Sequence, residues 1–158
     1  MTHLVDIVTV PEAVAAVVRF HVAAEELPHI GERMGEAFGA VMAQLGAAQL
    51  TPVGPAFSSY RPVADGFDVA AGFRVPPAST VPPGLERLEL EGSETAHTTH
   101  VGPYETLSSA YDDLVAQAGA AGRSVRTGGP MWEEYWSAPD APADERRTEI
   151  YWPLEPLA

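Results

Sequence analysis

Cysteine is absent from this 158-residue chain, which excludes disulfides, thiolate metal sites and cysteine nucleophiles and implies no oxidising compartment. Positive charge is scarce. Nine Lys and Arg face 22 Asp and Glu, a formal net charge of −13. Such a chain repels phosphate backbones and lacks the basic footprint of a nucleic-acid-binding domain, so no direct nucleic-acid partner is expected. Long apolar runs are also missing: no stretch approaches the roughly 18 consecutive apolar residues of a membrane span. No membrane partner is expected either. The first ten residues carry His3 and Asp6 where a secretory signal would have a basic segment and a long apolar one, so the expected location is the cytoplasm. His3, His21, His29 and His97 lack the spacing to other His, Asp or Glu that argues for a metal site, and no metal or cofactor is expected.

Hydrophobic residues make up 46% of the chain and charged residues 20%, ordinary globular usage that suits one domain spanning residues 1–158. Val14 to His21 reads as a β-branched strand. In Leu27 to Leu45, Ile30, Met34, Phe38, Val41 and Leu45 recur at helical intervals. Gly46 stands where a helix C-terminal glycine belongs, and Gly54-Pro55 introduces a strand over Ala56 to Tyr60. Asp65-Gly66 then signals a hairpin to Phe67–Val75. The order recurs after Pro76, Pro77, Pro82, Pro83 and Gly84, a stiff joint. Glu94 to Val101 reads as a strand, and Tyr104 to Ala121 as a helix presenting Leu107, Ala110, Tyr111, Leu114 and Ala118 and closed by Gly122. Gly129-Pro130 introduces Met131 to Trp136, and Arg147 to Leu154 is the last strand. The expected fold is therefore α+β: two pseudo-symmetric strand-helix-strand-strand repeats, about 4–75 and 85–158 around a joint at 76–84, with a ligand cleft between them. Leu4 to Val10 is expected to add an edge strand.

The densest chemical feature is Met131-Trp132-Glu133-Glu134-Tyr135-Trp136, two acids among three aromatics on one strand. Alternation puts Glu133 and Tyr135 on one face and Trp132, Glu134 and Trp136 on the other. On the last strand Arg147, Glu149 and Tyr151 share a face, so hairpin pairing is expected to gather Glu133, Tyr135, Glu149 and Tyr151, unless a bulge intervenes. A carboxylate walled by rings suits a lipophilic cation, each ring face adding roughly 0.5–2 kcal/mol of cation–π attraction. Alternatively, both acids are solvated and the rings are anchors. Tyr60 ends the equivalent strand of the first repeat and reads either as a second wall of the same groove or as a core tyrosine with its hydroxyl at the rim.

The runs His100-Val101-Gly102-Pro103-Tyr104-Glu105-Thr106-Leu107, Ala110-Tyr111-Asp112-Asp113-Leu114, Trp132-Glu133-Glu134-Tyr135 and Thr148-Glu149-Ile150-Tyr151-Trp152-Pro153-Leu154 closely resemble the GyrI-like small-molecule-binding family. Leu27-Pro28, Tyr60, Asp65-Gly66-Phe67 and Gly72-Phe73 resemble its first half. The resemblance implies the effector-binding domain of multidrug-responsive transcription activators, with a shallow aromatic pocket whose central acid matches Glu133. Glu149 and Tyr151 resemble further pocket positions, and His100 resembles part of a structural turn. With its first repeat beginning near Val14, the chain has no place for a helix-turn-helix or a coiled coil and is expected to stand alone. The leading expectation is a binding protein for hydrophobic, cationic or aromatic small molecules at Tyr60, Trp132, Glu133, Tyr135, Glu149 and Tyr151. The family also implies two alternatives. One is a hydrolase of reactive, cyclopropane-type electrophiles with Glu133 as general base and Tyr135 or Tyr151 assisting. The other is an acidic protein partner resembling a gyrase inhibitor.

Overall fold

A computed structural model describes residues 3–138 and 140–157, with Pro28 described by its backbone alone. The expected outer domain bounds, residues 1 and 158, and the side chain of Pro28 lie outside the described residues. Among the described residues, eight strands and two α-helices form an α+β fold with two compact units, one of residues 11–92 and one that joins residues up to 10 with those from 93 onward.

In the unit of residues 11–92, β2 (Ala13–Ala23), β3 (Ala56–Val63), β4 (Gly66–Val75) and β5 (Glu86–Leu90) lie antiparallel in the order β5-β2-β4-β3. α1 (Gly31–Ala47) buries Met34, Ala37, Val41 and Leu45, one stripe at intervals of three and four, and Val41 and Leu45 pack with Val14, Ala16 and Val75. A short 3-10 turn over Ala24–His29 precedes it, so the expected helix start at Leu27 moves to Gly31. Gly46 lies inside the helix rather than at its end. The left-handed position falls on Gln49 (φ 59°), and Leu50 N–H donates to Leu45 O at 2.9 Å, the pairing that satisfies terminal carbonyls.

In the other unit, β1 (Val5–Val10), β6 (Ser93–Val101), β7 (Met131–Tyr135) and β8 (Arg147–Pro153) take the order β1-β6-β8-β7. α2 (Leu107–Ala120) buries Ala110, Leu114 and Ala118 on Ala96, Ile150 and Leu154. Each large apolar side chain so covered contributes roughly 1.5–3 kcal/mol. Gly122 takes the left-handed position (φ 77°), and Arg123 N–H reaches Ala118 O at 2.9 Å.

Both units share one plan, but the expected repeat bounds of 4–75 and 85–158 need correction. Within the expected Leu4–Val10 segment, Val5–Val10 supplies a strand that pairs with β6 of the second repeat, and Glu86–Leu90 pairs with β2 of the first. Each edge strand is thus encoded just ahead of the repeat it does not join. Among the described residues no helix is long and apolar enough to cross a membrane.

Candidate functional site

The register of β7 on β8 decides which side chains meet. Trp132 lies opposite Tyr151, Glu133 opposite Ile150, Glu134 opposite Glu149 and Tyr135 opposite Thr148. Opposed residues share a face. Glu133 and Tyr135 therefore point to the α2 side with Ile150, while Trp132, Glu134, Glu149 and Tyr151 occupy the other side. The expected gathering of Glu133, Tyr135, Glu149 and Tyr151 does not occur. The pairs are offset by one residue from that arrangement, and in a strand one residue changes the face.

On the α2 side, Glu133 is buried. Tyr111 Oη on α2 donates to its Oε2 at 2.5 Å, and Tyr135 Oη, two residues along β7, donates to its Oε1 at 2.8 Å. Among the described residues no cationic side chain forms an ion pair with Glu133. Burial raises its pKa, and the two tyrosine hydrogen bonds only partly oppose that rise. Aromatic rings surround the group. Tyr111 meets Trp152 edge-on at 6.2 Å, and half-exposed Tyr104, in the 3-10 turn before α2, meets Tyr135 edge-on at 6.0 Å. Arg146, just ahead of β8, places its guanidinium 5.0 Å from the centre of the Tyr104 ring. The Tyr104 hydroxyl pKa is raised, chiefly by burial; Arg146 lowers it and Glu133 adds to the rise.

The opposite face carries a self-satisfied network. Trp132 and Tyr151 stack at 5.2 Å, and Tyr151 also contacts the His97 ring at 4.8 Å. His97 bonds Glu149 Oε1 at 2.8 Å and Asp6 Oδ1 at 2.7 Å, while Thr99 and Arg147 donate to Glu149 at 2.9 and 3.0 Å. Burial alone would raise the Glu149 pKa, but the bonds from Arg147, His97 and Thr99 outweigh it and hold the carboxyl below its ordinary value.

Tyr60 lies in the other unit. It is buried, accepts a hydrogen bond from Ser58 Oγ at 3.0 Å and meets Phe67 edge-on at 6.3 Å. Aligning Gly54-Pro55 with Gly129-Pro130 sets Ser58 against Glu133 and Tyr60 against Tyr135, and the helical faces set Phe38 against Tyr111. The same positions thus carry an alcohol and a phenyl ring in one repeat, and a carboxylate and a phenol in the other. His100 is buried and bonds Thr106 Oγ1 at 2.9 Å, Pro103 O at 3.2 Å and His3 at 2.9 Å, tying the turn ahead of α2.

Sequence reasoning missed Tyr111 as a site residue, along with Tyr104 and Arg146. Tyr111 carried a usable signal: it is the one polar-tipped side chain in the stripe Leu107, Ala110, Tyr111, Leu114, Ala118. Arg146 carried none, because its position depends on how the connection after β7 folds.

The profile of the GyrI-like small molecule binding domain matches residues 3–155, and the chain belongs to that family. No curated protein sequence matches it. Among solved structures, the EcmrR C-terminal domain superposes with a TM-score of 0.76 at 20% identity, covering 99% of this chain and 100% of that one. SAV2435 bound to tetraphenylphosphonium superposes with a TM-score of 0.67 at 11% identity, covering 98% of this chain and 94% of that one. A hydrolase from Listeria innocua gives 0.65 at 16% identity, covering 96% and 91%. At these identities the likeness is one of fold.

Proposed function

We propose that the chain binds hydrophobic small molecules, cationic or aromatic, at a site centred on Glu133. The observation that carries this reading is a buried carboxylate held by two phenol hydroxyls with no cationic partner among the described residues. Burying such a charge is costly unless a counter-charge arrives. A lipophilic cation supplies that charge, and the rings of Tyr104, Tyr111 and Tyr135 supply apolar and π contact. That SAV2435 binds tetraphenylphosphonium on the same fold supports this ligand class. This reading leaves Trp132, Glu149 and Tyr151 out of the first contacts, because the register of β7 on β8 turns them to the other face.

Calorimetric titration of the full chain with tetraphenylphosphonium tests the reading. Glu133→Gln is expected to weaken binding about 10- to 100-fold, equivalent to roughly 1.5–3 kcal/mol for a charge-assisted contact. Affinity unchanged by that substitution would remove Glu133 from the centre of the site.

A second reading draws on the same carboxylate. Burial raises the Glu133 pKa, the direction a general base working near neutral pH requires, with Tyr135 holding the acid in place for hydrolysis of reactive electrophiles. Product formation that survives Glu133→Ala would eliminate it.

A further inference from the structure

All nine basic residues of the chain are arginines, and several sit on carboxylates: Arg19 on Glu86, Arg33 on Glu26, Arg123 on Glu94 and Arg147 on Glu149. Arg146 is not among them: among the described residues it forms no salt bridge, which is also true of Arg61 and Arg126, and it is set apart by the ring it covers. Its Nε donates to Ala141 O at 3.3 Å, and its own carbonyl accepts from Gly102 N–H at 2.8 Å. These contacts fix the backbone at the turn that carries Tyr104. Its guanidinium instead lies over the Tyr104 ring, 5.0 Å from the centroid.

Tyr104 links the surface to the buried acid. The residue is 44% exposed and its ring meets that of Tyr135 edge-on, whose hydroxyl donates to Glu133. A cation therefore already lies over the exposed ring at the outer end of this series of contacts to Glu133. The opposing effects of Arg146 and Glu133 on the Tyr104 hydroxyl agree with this placement between the two charges.

Resting on the reading that Glu133 receives a ligand cation, we infer that Arg146 is a selectivity element of that site: a resident cation on Tyr104 that an incoming ligand cation must displace. A planar guanidinium stacks well on a phenol ring and is weakly hydrated, so a small, strongly hydrated ammonium gains little by replacing it. An aryl-substituted cation brings both delocalised charge and apolar surface. An uncharged aromatic ligand meets no charge repulsion from Arg146 and is indifferent to its removal.

The test is calorimetry on the full chain with tetraphenylphosphonium and, as an uncharged aryl probe, triphenylphosphine oxide. Arg146→Gln is expected to raise tetraphenylphosphonium affinity threefold or more and to leave triphenylphosphine oxide within twofold. Arg146→Lys, which keeps the charge and loses the planar stack, is expected to fall between wild type and Arg146→Gln, with thermal unfolding showing that both variants fold. Glu133→Gln lowers tetraphenylphosphonium affinity in either background. If Glu133→Gln lowers it but Arg146→Gln leaves it unchanged or reduces it, the selectivity role is wrong and the Glu133 reading stands. If tetraphenylphosphonium binds none of the proteins, both fall together.

Discussion

Glu134 on β7 lies directly opposite Glu149 on β8, so these two carboxylates share a sheet face that Glu133 does not. Glu133 lies on the α2 side, where among the described residues Tyr111 and Tyr135 are its hydrogen-bond donors. The two faces therefore respond to acid in opposite senses.

Glu133 is the acid whose charge costs stability. Its folded pKa lies above the unfolded value of 4.5, so the native state holds the proton more tightly than the unfolded chain. Below pH 4.5 no penalty exists; as pH rises through the folded pKa, stability is lost. Glu133→Gln is expected to melt higher than wild type at neutral pH, with the gap closing toward pH 4. Parallel melting curves across that range would contradict the assignment.

Glu149 has the reverse sign. Its folded pKa is below 4.5, so its contribution is present above pH 4.5 and lost as pH falls through the folded pKa. Glu149→Gln should cost roughly 1–3 kcal/mol at neutral pH, the range for a buried hydrogen-bonded charge. That cost should shrink in acid. Denaturant midpoints at several pH values read both quantities.

Tyr111→Phe deletes one of the two donors to a buried carboxylate. A loss of roughly 1.5–3 kcal/mol is expected at neutral pH, together with a further rise in the Glu133 pKa, because the Tyr111 bond lowers it. Carbon-detected NMR titration of the Glu133 carboxyl separates this from a simple packing defect, which would leave the titration in place.

Gly72 on β4 has no room for a side chain: a Cβ there would stand 2.0 Å from the Ala16 carbonyl oxygen. Gly72→Ala should cost at least about 1–3 kcal/mol, as overpacking against backbone does. Chemical denaturation checks it, and a neutral result would mean that β2 and β4 can part without penalty.

Much of the fold was legible because its signals are local. The stripes Met34, Val41, Leu45 and Ala110, Leu114, Ala118 follow the helical period, and Gly54-Pro55 and Gly129-Pro130 mark matching strand starts. The site was half legible. Glu133 stood out by its aromatic company, but the long connection from Trp136 to Arg146 leaves the β7–β8 register free of any tight-turn constraint, and register alone separates Glu133 from Glu149 and Tyr151. Tyr111 and Arg146 reach Glu133 and Tyr104 through tertiary packing, for which no local pattern exists. The edge strand at Leu4–Val10 was legible but its pairing with β6 was not, and β5 was not read at all, because the partners of both lie far along the chain.

The placement of those two strands bears on how the chain can be divided. The array of residues 11–92 is contiguous, whereas the array holding Glu133 is assembled from two stretches separated by all of the other. No single scission yields both arrays whole: cutting after Gly92 leaves the carboxylate-bearing fragment with an uncovered β6, and cutting after Val10 frees the strand that should cover it. A split-protein version of this binder would need the 1–10 segment moved behind Leu157, a circular permutation rather than a truncation.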